Sequence, residues 1–232
     1  MVGPFTKSIG TAFSLIFSGD REVYAAVWTS VSTAGWSTVI ASLFGLPIGM
    51  AIGLSDFPLK RLAVILLNSL MAMPTVVLGL LVFGLLSRQG VLGGLGLLFS
   101  PKAIIVGQSL LAIPIIANYA LSAVRAADAR ILPTALTLGA SMVQSFNQLT
   151  NEIRFGIMAA VIAGFGRVIS EVGVAMMLGG NIRWYTRTMT TAIALETSKG
   201  EFAFGLALGI VLMLISFSIN IGLSFMQEEH QP

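Results

Sequence analysis

Five long, continuous runs of apolar residues determine what this chain can fold into. They cover residues 23–54, 61–86, 103–124, 155–178 and 202–225. A helix rises about 1.5 Å per residue and the hydrocarbon core of a bilayer is about 30 Å thick, so roughly 20 apolar residues cross it. A barrel strand would instead alternate apolar and polar residues over about 10 positions. The runs therefore predict an all-α membrane protein with about five transmembrane helices.

The composition supports an integral membrane protein without further domains. Only 10% of the residues are charged, whereas soluble domains carry about 25%, and the mean hydropathy is +0.91. Five spans and their connections occupy most of the 232 residues, so we predict a single transmembrane domain over residues 1–232. The sequence has no cysteine and a net charge of only +3. We therefore expect no metal site and no nucleic-acid partner.

Three features modify the simple pattern of spans. Pro74 lies inside the second run, where it predicts a kink or a break because proline has no N–H to donate and clashes with the preceding turn. Ahead of the first run, residues 5–17 place apolar side chains at helical spacing, which predicts a helix lying in the membrane interface. The first run is longer than one upright crossing, so its helix is expected to tilt or to begin along the surface.

Two opposite charges lie inside the fourth run. Arg167 and Glu171 are four residues apart, which would place them on one face of a continuous helix. An uncompensated charge at the bilayer centre costs at least about 2.5–3.5 kcal/mol, so the pair requires a reason. Arg167 could line an anion path, with Glu171 holding it in place or neutralising it. Alternatively, the two side chains could form a structural pair that ties the bundle together, and the sequence does not decide between these.

A polar cluster follows the fourth run. Hydroxyl, amide and guanidinium groups are the donors that a tetrahedral oxyanion requires. An ordinary loop built from Ser/Thr turn chemistry would contain the same residue types. The cluster is therefore a candidate substrate path or gate, with a structural role as the alternative. Its members are Asn181, Thr186, Arg187, Thr188, Thr190 and Thr191, with Arg183 close by.

The polar segment between the third and fourth runs carries a family pattern. Residues 131–141 read ILPTALTLGAS and residues 149–157 read LTNEIRFGI. This segment resembles the cytoplasmic coupling loop of binding-protein-dependent ABC importer permeases, whose pattern is Glu-Ala-Ala, three residues, Gly, nine residues, Ile, one residue, Leu-Pro. Ala135 and Gly139 fit that pattern, and Leu149 fits it conservatively. The departures are Pro133, Thr134, Asn151 and Glu152.

In that family, the loop contacts a cytoplasmic ATPase. The resemblance assigns this role to residues 125–156, and within them to Ala135, Gly139, Ala140, Ser141 and Leu149. The small residues recur at helical spacing, so one short coupling helix could lie close against a groove of the partner. Taken without the resemblance, the segment is more simply an amphipathic connector between two spans.

The likeness extends over most of the chain. Residues 164–173 read GFGRVISEVG, residues 179–182 read GGNI, residues 186–196 read TRTMTTAIALE, and residues 45–49 read GLPIG. Together these segments resemble the oxyanion branch of the same permeases. The likeness is closest to the tungstate permeases, with the molybdate and sulfate permeases more distant.

The resemblance implies both a fold and a set of partners. It implies a MetI-like ABC importer permease fold in a multi-pass protein of the prokaryotic inner membrane, working as a homodimer in contact with lipid. A cytoplasmic ATP-binding subunit would bind ATP and Mg, so this chain would need no cofactor and would not itself be an enzyme. An extracytoplasmic tungstate-binding protein would deliver the substrate. The alternatives are a molybdate or sulfate permease, or an ion-coupled secondary transporter.

Overall fold

The computed structural model describes residues 4–228, and the side chains of residues 8–222. Within that part of the chain, all regular elements are helical. They are α1 (Pro4–Phe17), α2 (Arg21–Leu54), α3 (Lys60–Met71), α4 (Thr75–Leu86), α5 (Pro101–Ala126), α6 (Ile131–Thr137), α7 (Met142–Glu152), α8 (Arg154–Ile169), α9 (Gly173–Gly179), α10 (Met189–Lys199) and α11 (Phe202–Glu228), with a 3-10 turn at Gly93–Leu95.

Three continuous helices and two bent pairs account for the five apolar runs. Helices α2, α5 and α11 are each long and apolar enough to cross a membrane. Helices α3 and α4 meet at an angle of 95°, and α8 and α9 at an angle of 60°. If each bent pair is one span, the described part of the chain has five, as the sequence predicts.

The predicted interruption at Pro74 is confirmed as a complete break. Helix α3 ends at Met71, and Pro74 occupies the position just before the first residue of α4. The Pro74 carbonyl then accepts hydrogen bonds from the backbone N–H groups of Val77 and Leu78, at 3.0 and 3.2 Å. Proline is well suited to this position because its missing N–H would have no intrahelical partner there.

The fourth span is broken, which the sequence does not predict. The run over residues 155–178 is not one helix, because α8 ends at Ile169 and α9 begins at Gly173. Glu171 therefore lies in the connection and does not share a helix face with Arg167. The broken backbone is compensated by side chains: Gln108 donates to the Val168 carbonyl at 3.1 Å and Thr190 donates to the Glu171 carbonyl at 2.7 Å.

Helices α2 and α5 form the centre of the bundle and run in the same direction. Gly45 approaches Ile113, Gly49 approaches Ala117 and Gly53 approaches Val124. Because the carboxyl ends of both helices lie at the same end of the bundle, α6 and α7, which follow α5, lie at that end too. The loop before α5 and the start of α2 lie at the opposite end.

Helix α1 covers the whole segment for which an interfacial helix is predicted, residues 5–17. It packs against α11, and its last two turns carry Phe13 and Phe17, which stack with ring centres 6.4 Å apart and are both exposed. The Tyr24 hydroxyl donates to the Ile16 carbonyl at 3.2 Å, linking α1 to the start of α2. The side chains of residues 5–7 lie outside the described part, and the membrane depth of α1 stays a prediction.

The contact between α2 and α5 leads to the first prediction. A Cβ atom at Gly49 would lie 2.1 Å from the Ala117 carbonyl oxygen, so Gly49→Ala should force the two backbones apart and cost about 1–3 kcal/mol of stability. Gly35→Ala in the same helix is the control, because a Cβ there meets no atom within 4 Å. Thermal unfolding of the purified protein in detergent should show a lower midpoint for Gly49→Ala only. Equal unfolding midpoints for Gly49→Ala and Gly35→Ala would contradict the close contact between α2 and α5.

Candidate functional site

The connection between α8 and α9 holds the ion pair that the sequence singles out. One guanidinium nitrogen of Arg167, Nη1, lies 2.6 Å from Oε2 of Glu171. The other carboxylate oxygen of Glu171, Oε1, accepts a hydrogen bond from the backbone N–H of Val174 at 3.2 Å. The Glu171 side chain is only 3% exposed, whereas the Arg167 side chain is 38% exposed. The pair thus has a buried, fixed acid and a partly exposed cation.

The two helix breaks lie next to each other. A Cβ atom at Gly173 would lie 3.0 Å from the Thr75 hydroxyl and 3.0 Å from a Val76 methyl group. Helices α4 and α9 then pack along their length, where Gly79 lies against Met177 and Val174. Discontinuous helices that meet inside a membrane protein are a common framework for substrate sites. Arg167, whose side chain is partly exposed, lies beside this junction through its contact with Glu171.

The four threonines of the polar cluster are buried and use their hydroxyls inside the protein. Thr186 donates to the Gly179 carbonyl at 2.5 Å and accepts from the Ile182 N–H at 3.0 Å. Thr188 and Thr191 form the capping box that begins α10, and Thr190 satisfies the carbonyl of Glu171. This geometry favours the structural alternative for the threonines, because their hydroxyls stabilise the chain after the α8–α9 break.

Asn181 and Arg187 also make internal contacts. Asn181 has a positive φ of 50° and donates to the Thr191 carbonyl at 3.3 Å. Arg187 lies 2.6 Å from Glu22 at the start of α2 and 3.5 Å from Glu196 in α10. Arg183 also pairs with Glu22. The structure therefore brings Arg187 into an ion cluster at the end of the bundle opposite α6 and α7, and not into the junction beside Arg167.

Sequence reasoning missed the acidic members of that cluster. Glu22 is 161 and 165 residues from the two arginines that it pairs with. Glu196 is paired with Lys199, three residues further along α10, at 3.0 Å. The only local signal was the i,i+3 spacing of Glu196 and Lys199, because the contacts of Glu22 depend on how α2 packs in the bundle.

The coupling segment is two short helices rather than one. Gly139 has a positive φ of 87°, a conformation that favours glycine, and it ends α6 by turning the chain. Ser141 then begins α7 by capping it through a capping box with Gln144. Ala135 lies in α6, and Ala140 lies in the turn. The small residues therefore shape a helix–turn–helix and do not line one helix face.

The turn between α6 and α7 exposes large apolar side chains, which the sequence analysis did not identify. Leu138, Met142 and Val143 are 82%, 74% and 70% exposed, and Phe146 is also exposed. Leu149, by contrast, is buried with Ile153 against Met50, Ala120 and Val124 of α2 and α5. Leu149 thus anchors α7 to the bundle, while the apolar side chains at the α6–α7 turn face outward. The available signal was the occurrence of large apolar residues in an otherwise polar segment.

One ion pair at this end has a fixed charge state. Arg130 holds the Asp128 carboxylate with two guanidinium nitrogens, Nε at 3.0 Å and Nη2 at 2.7 Å, and with its backbone N–H at 2.9 Å. These hydrogen bonds lower the pKa of Asp128 to about 2 and raise the pKa of Arg130. Both groups therefore stay charged at any pH that a cell tolerates.

Comparison with known proteins identifies relatives over nearly the whole chain. The tungstate uptake system permease protein TupB of Peptoclostridium acidaminophilum is 39% identical, with 94% of this chain and 96% of the relative covered. The protein of the same name from Campylobacter jejuni subsp. jejuni is 40% identical, with 90% and 87% covered. A scan against protein-family models finds no match.

More distant relatives have other names. The molybdenum transport system permease protein ModB of Mycobacterium tuberculosis is 26% identical over 85% of this chain and 77% of its own length. The sulfate transport system permease protein CysT of Salmonella typhimurium is 26% identical over 87% of this chain and 76% of its own length.

The fold matches a solved transporter. A chain of the MetNI methionine ABC transporter, in an inward-facing conformation, superimposes with a TM-score of 0.73 over 91% of this chain and 97% of that chain, at 17% sequence identity. The MetI-like fold expected from the sequence is thus confirmed. The two TupB proteins are 39% and 40% identical to this chain over at least 90% of its length, and this chain accordingly belongs to the family of ABC importer permeases that contains the tungstate, molybdate and sulfate permeases.

Proposed function

We propose that this chain carries tungstate through the membrane of a prokaryotic cell as the permease of a binding-protein-dependent importer. The observation that carries this proposal is the 39–40% identity to two permeases named for tungstate uptake, over at least 90% of this chain. The relatives named for molybdenum and sulfate transport are only 26% identical. An ion-coupled mechanism has no support among these relatives, which are ABC permeases.

Arg167 is the residue that we propose for contact with the anion. A guanidinium has five N–H donors, of which the pair with Glu171 uses one at 2.6 Å. Because the Arg167 side chain is partly exposed, its remaining N–H groups can donate to the oxygens of a tetrahedral oxyanion beside the α4–α9 junction. Glu171 compensates the charge when no anion is present, so Arg167 does not stay unpaired at membrane depth. Arg167 and Glu171 thus act as one gate, in which Glu171 is a positioning residue.

The proposed partners follow from the two ends of the bundle. Residues 125–156 form the coupling loop of the single permease domain, and the exposed apolar turn of α6 and α7 contacts an ATP-binding subunit that holds ATP and Mg. Apolar side chains concentrated in such a patch are typical of protein-binding surfaces. Two copies of this chain form the path, and an extracytoplasmic tungstate-binding protein delivers the anion to the opposite end.

Uptake measurements test the substrate. Cells that express the chain with its ATPase and binding protein should accumulate tungsten, and cells from which the gene is deleted should not. Molybdate and sulfate, each supplied in excess, should reduce tungsten uptake far less than unlabelled tungstate does. The transported tungstate is enriched in one tungsten isotope, and isotope-resolved elemental analysis of washed cells gives the readout. Uptake that molybdate or sulfate suppresses as strongly as tungstate would assign the chain to one of those substrates.

The gate is tested by separating stability from transport. Arg167→Leu leaves Glu171 buried without its partner and should lower stability by about 2 kcal/mol or more. The double variant Arg167→Leu with Glu171→Leu removes both charges and should recover most of the thermal stability. Tungstate uptake should be lost in both variants. If the double variant is stable and transports at the normal rate, the pair is only structural.

The coupling surface is tested by placing a charge on it. Met142→Glu and Leu138→Glu should leave the bundle folded, because both side chains point outward, but should greatly reduce copurification of the ATP-binding subunit. Val91→Glu is the matched control, since Val91 is equally apolar and exposed but lies in the loop between α4 and α5 at the other end. Normal copurification of the ATP-binding subunit with both Met142→Glu and Leu138→Glu would contradict the proposed surface.

A further inference from the structure

We infer that Asn68 and Asn118 form a second, uncharged contact site for the anion, in the half of the bundle that carries α6 and α7. This inference rests on the proposed transport function. Nδ2 of Asn118 donates to Oδ1 of Asn68 at 2.9 Å and to Sδ of Met71 at 3.0 Å. Asn68 is exposed, and no described residue accepts a hydrogen bond from its Nδ2. The pair therefore presents a fixed amide donor to open space.

The two amides lie at membrane depth. Asn118 is eight residues before Ala126, where α5 ends, and Asn68 is eight residues after Lys60, where α3 begins. At about 1.5 Å per residue, each lies about 12 Å inside its helix end. The adjoining contact between the helices is apolar, consisting of Leu67, Ala117 and Leu121. The amides are thus set into an otherwise apolar part of the span.

An exposed amide at this depth cannot face lipid at low cost. Hydrocarbon offers no hydrogen-bond acceptor, so the free N–H of Asn68 would lose its water without compensation. Polar side chains inside membrane spans almost always face the bundle interior or a water-filled cavity. The exposed side of Asn68 therefore faces a path that contains water.

The position of the pair fits a step after the Arg167 gate. Helix α8 begins at Arg154, next to α7, and Gly156 packs against Ala123 near the end of α5. Arg167 is thirteen residues further, about 20 Å from that end of the bundle. The asparagine pair is about 8 Å nearer to α6 and α7. An anion that leaves Arg167 toward this end would meet the amides next.

A charged donor at Arg167 followed by neutral amides at Asn68 and Asn118 favours release of the anion. A hydrogen bond from a charged guanidinium to an anion is roughly twice as strong as one from a neutral donor. A site that must pass its ligand on needs to bind it favourably but weakly. Neutral amides after a cationic gate provide such a decrease in affinity along the path. An arginine at the position of Asn68 would instead retain the anion.

The absence of cysteine from the natural sequence allows a direct test of the water-filled path. Asn68→Cys and the control Leu66→Cys are made as single variants in the full transporter. Leu66 is similarly exposed but lies on the other side of the α3–α5 contact. A negatively charged thiol reagent that does not cross membranes is applied from the ATPase side of inside-out vesicles. Asn68→Cys should react about tenfold faster than Leu66→Cys, because charged reagents do not enter hydrocarbon.

Two results of the labelling would overturn the inference. One is equal or slower labelling of Asn68→Cys. The other is spontaneous disulfide formation between two copies of Asn68→Cys, which would place the residue at a contact between chains. The labelling needs no tungstate, so its failure is distinguishable from a wrong substrate.

Transport then tests the contact with the anion. Asn68→Leu should reduce tungstate uptake several-fold while copurification of the ATP-binding subunit stays normal, and Asn68→Gln, which keeps an amide donor, should restore part of the uptake. Added tungstate should slow the labelling of Asn68→Cys. Normal tungstate uptake by Asn68→Leu would overturn the proposed contact with the anion, even if the labelling shows that residue 68 is exposed to water.

Discussion

The structure depends on one constraint: a helix that breaks inside the membrane must satisfy its freed backbone groups from within the protein. In the α8–α9 connection, three side chains do this. Gln108 donates to the Val168 carbonyl, Thr190 donates to the Glu171 carbonyl, and the Glu171 carboxylate accepts from the Val174 N–H. Because these side chains come from α5, α10 and the connection itself, the break is possible only when those elements pack together.

The same constraint explains why Arg167 is placed as it is. Glu171 is fixed by its backbone contact with α9 and by burial, so the position of its carboxylate does not depend on the arginine alone. Arg167 extends from the last turn of α8 to that carboxylate, and its side chain stays partly exposed. Only the acid of this pair is buried. This asymmetry supports the proposed gate, because an anion could reach Arg167 while Glu171 stays covered.

The sequence predicts the spans well, because apolar runs of the required length have few alternatives. Proline favours the break at Pro74 but does not by itself require one, because Pro47 and Pro114 lie inside the continuous helices α2 and α5. The sequence does not predict the break around Glu171, where no proline marks the chain and the compensating donors come from residues far away in sequence. The threonine cluster shows the same limit. Its composition suits an anion site equally well, and only the contacts show that the hydroxyls are used inside the protein.

The packing of the long helices connects the proposed ATPase contact at α6 and α7 to the proposed gate at Arg167. Leu149 and Ile153 anchor α7 and the start of α8 to α2 and α5, so α6 and α7 cannot move without the bundle. Along α2, Gly45, Gly49 and Gly53 bring α2 into contact with α5, which favours movement of the two helices as one body. Gln108 on α5 holds the last turn of α8. In the proposed mechanism, displacement of this body therefore acts directly on the carbonyl of Val168, next to Arg167, and changes which side of the gate is open.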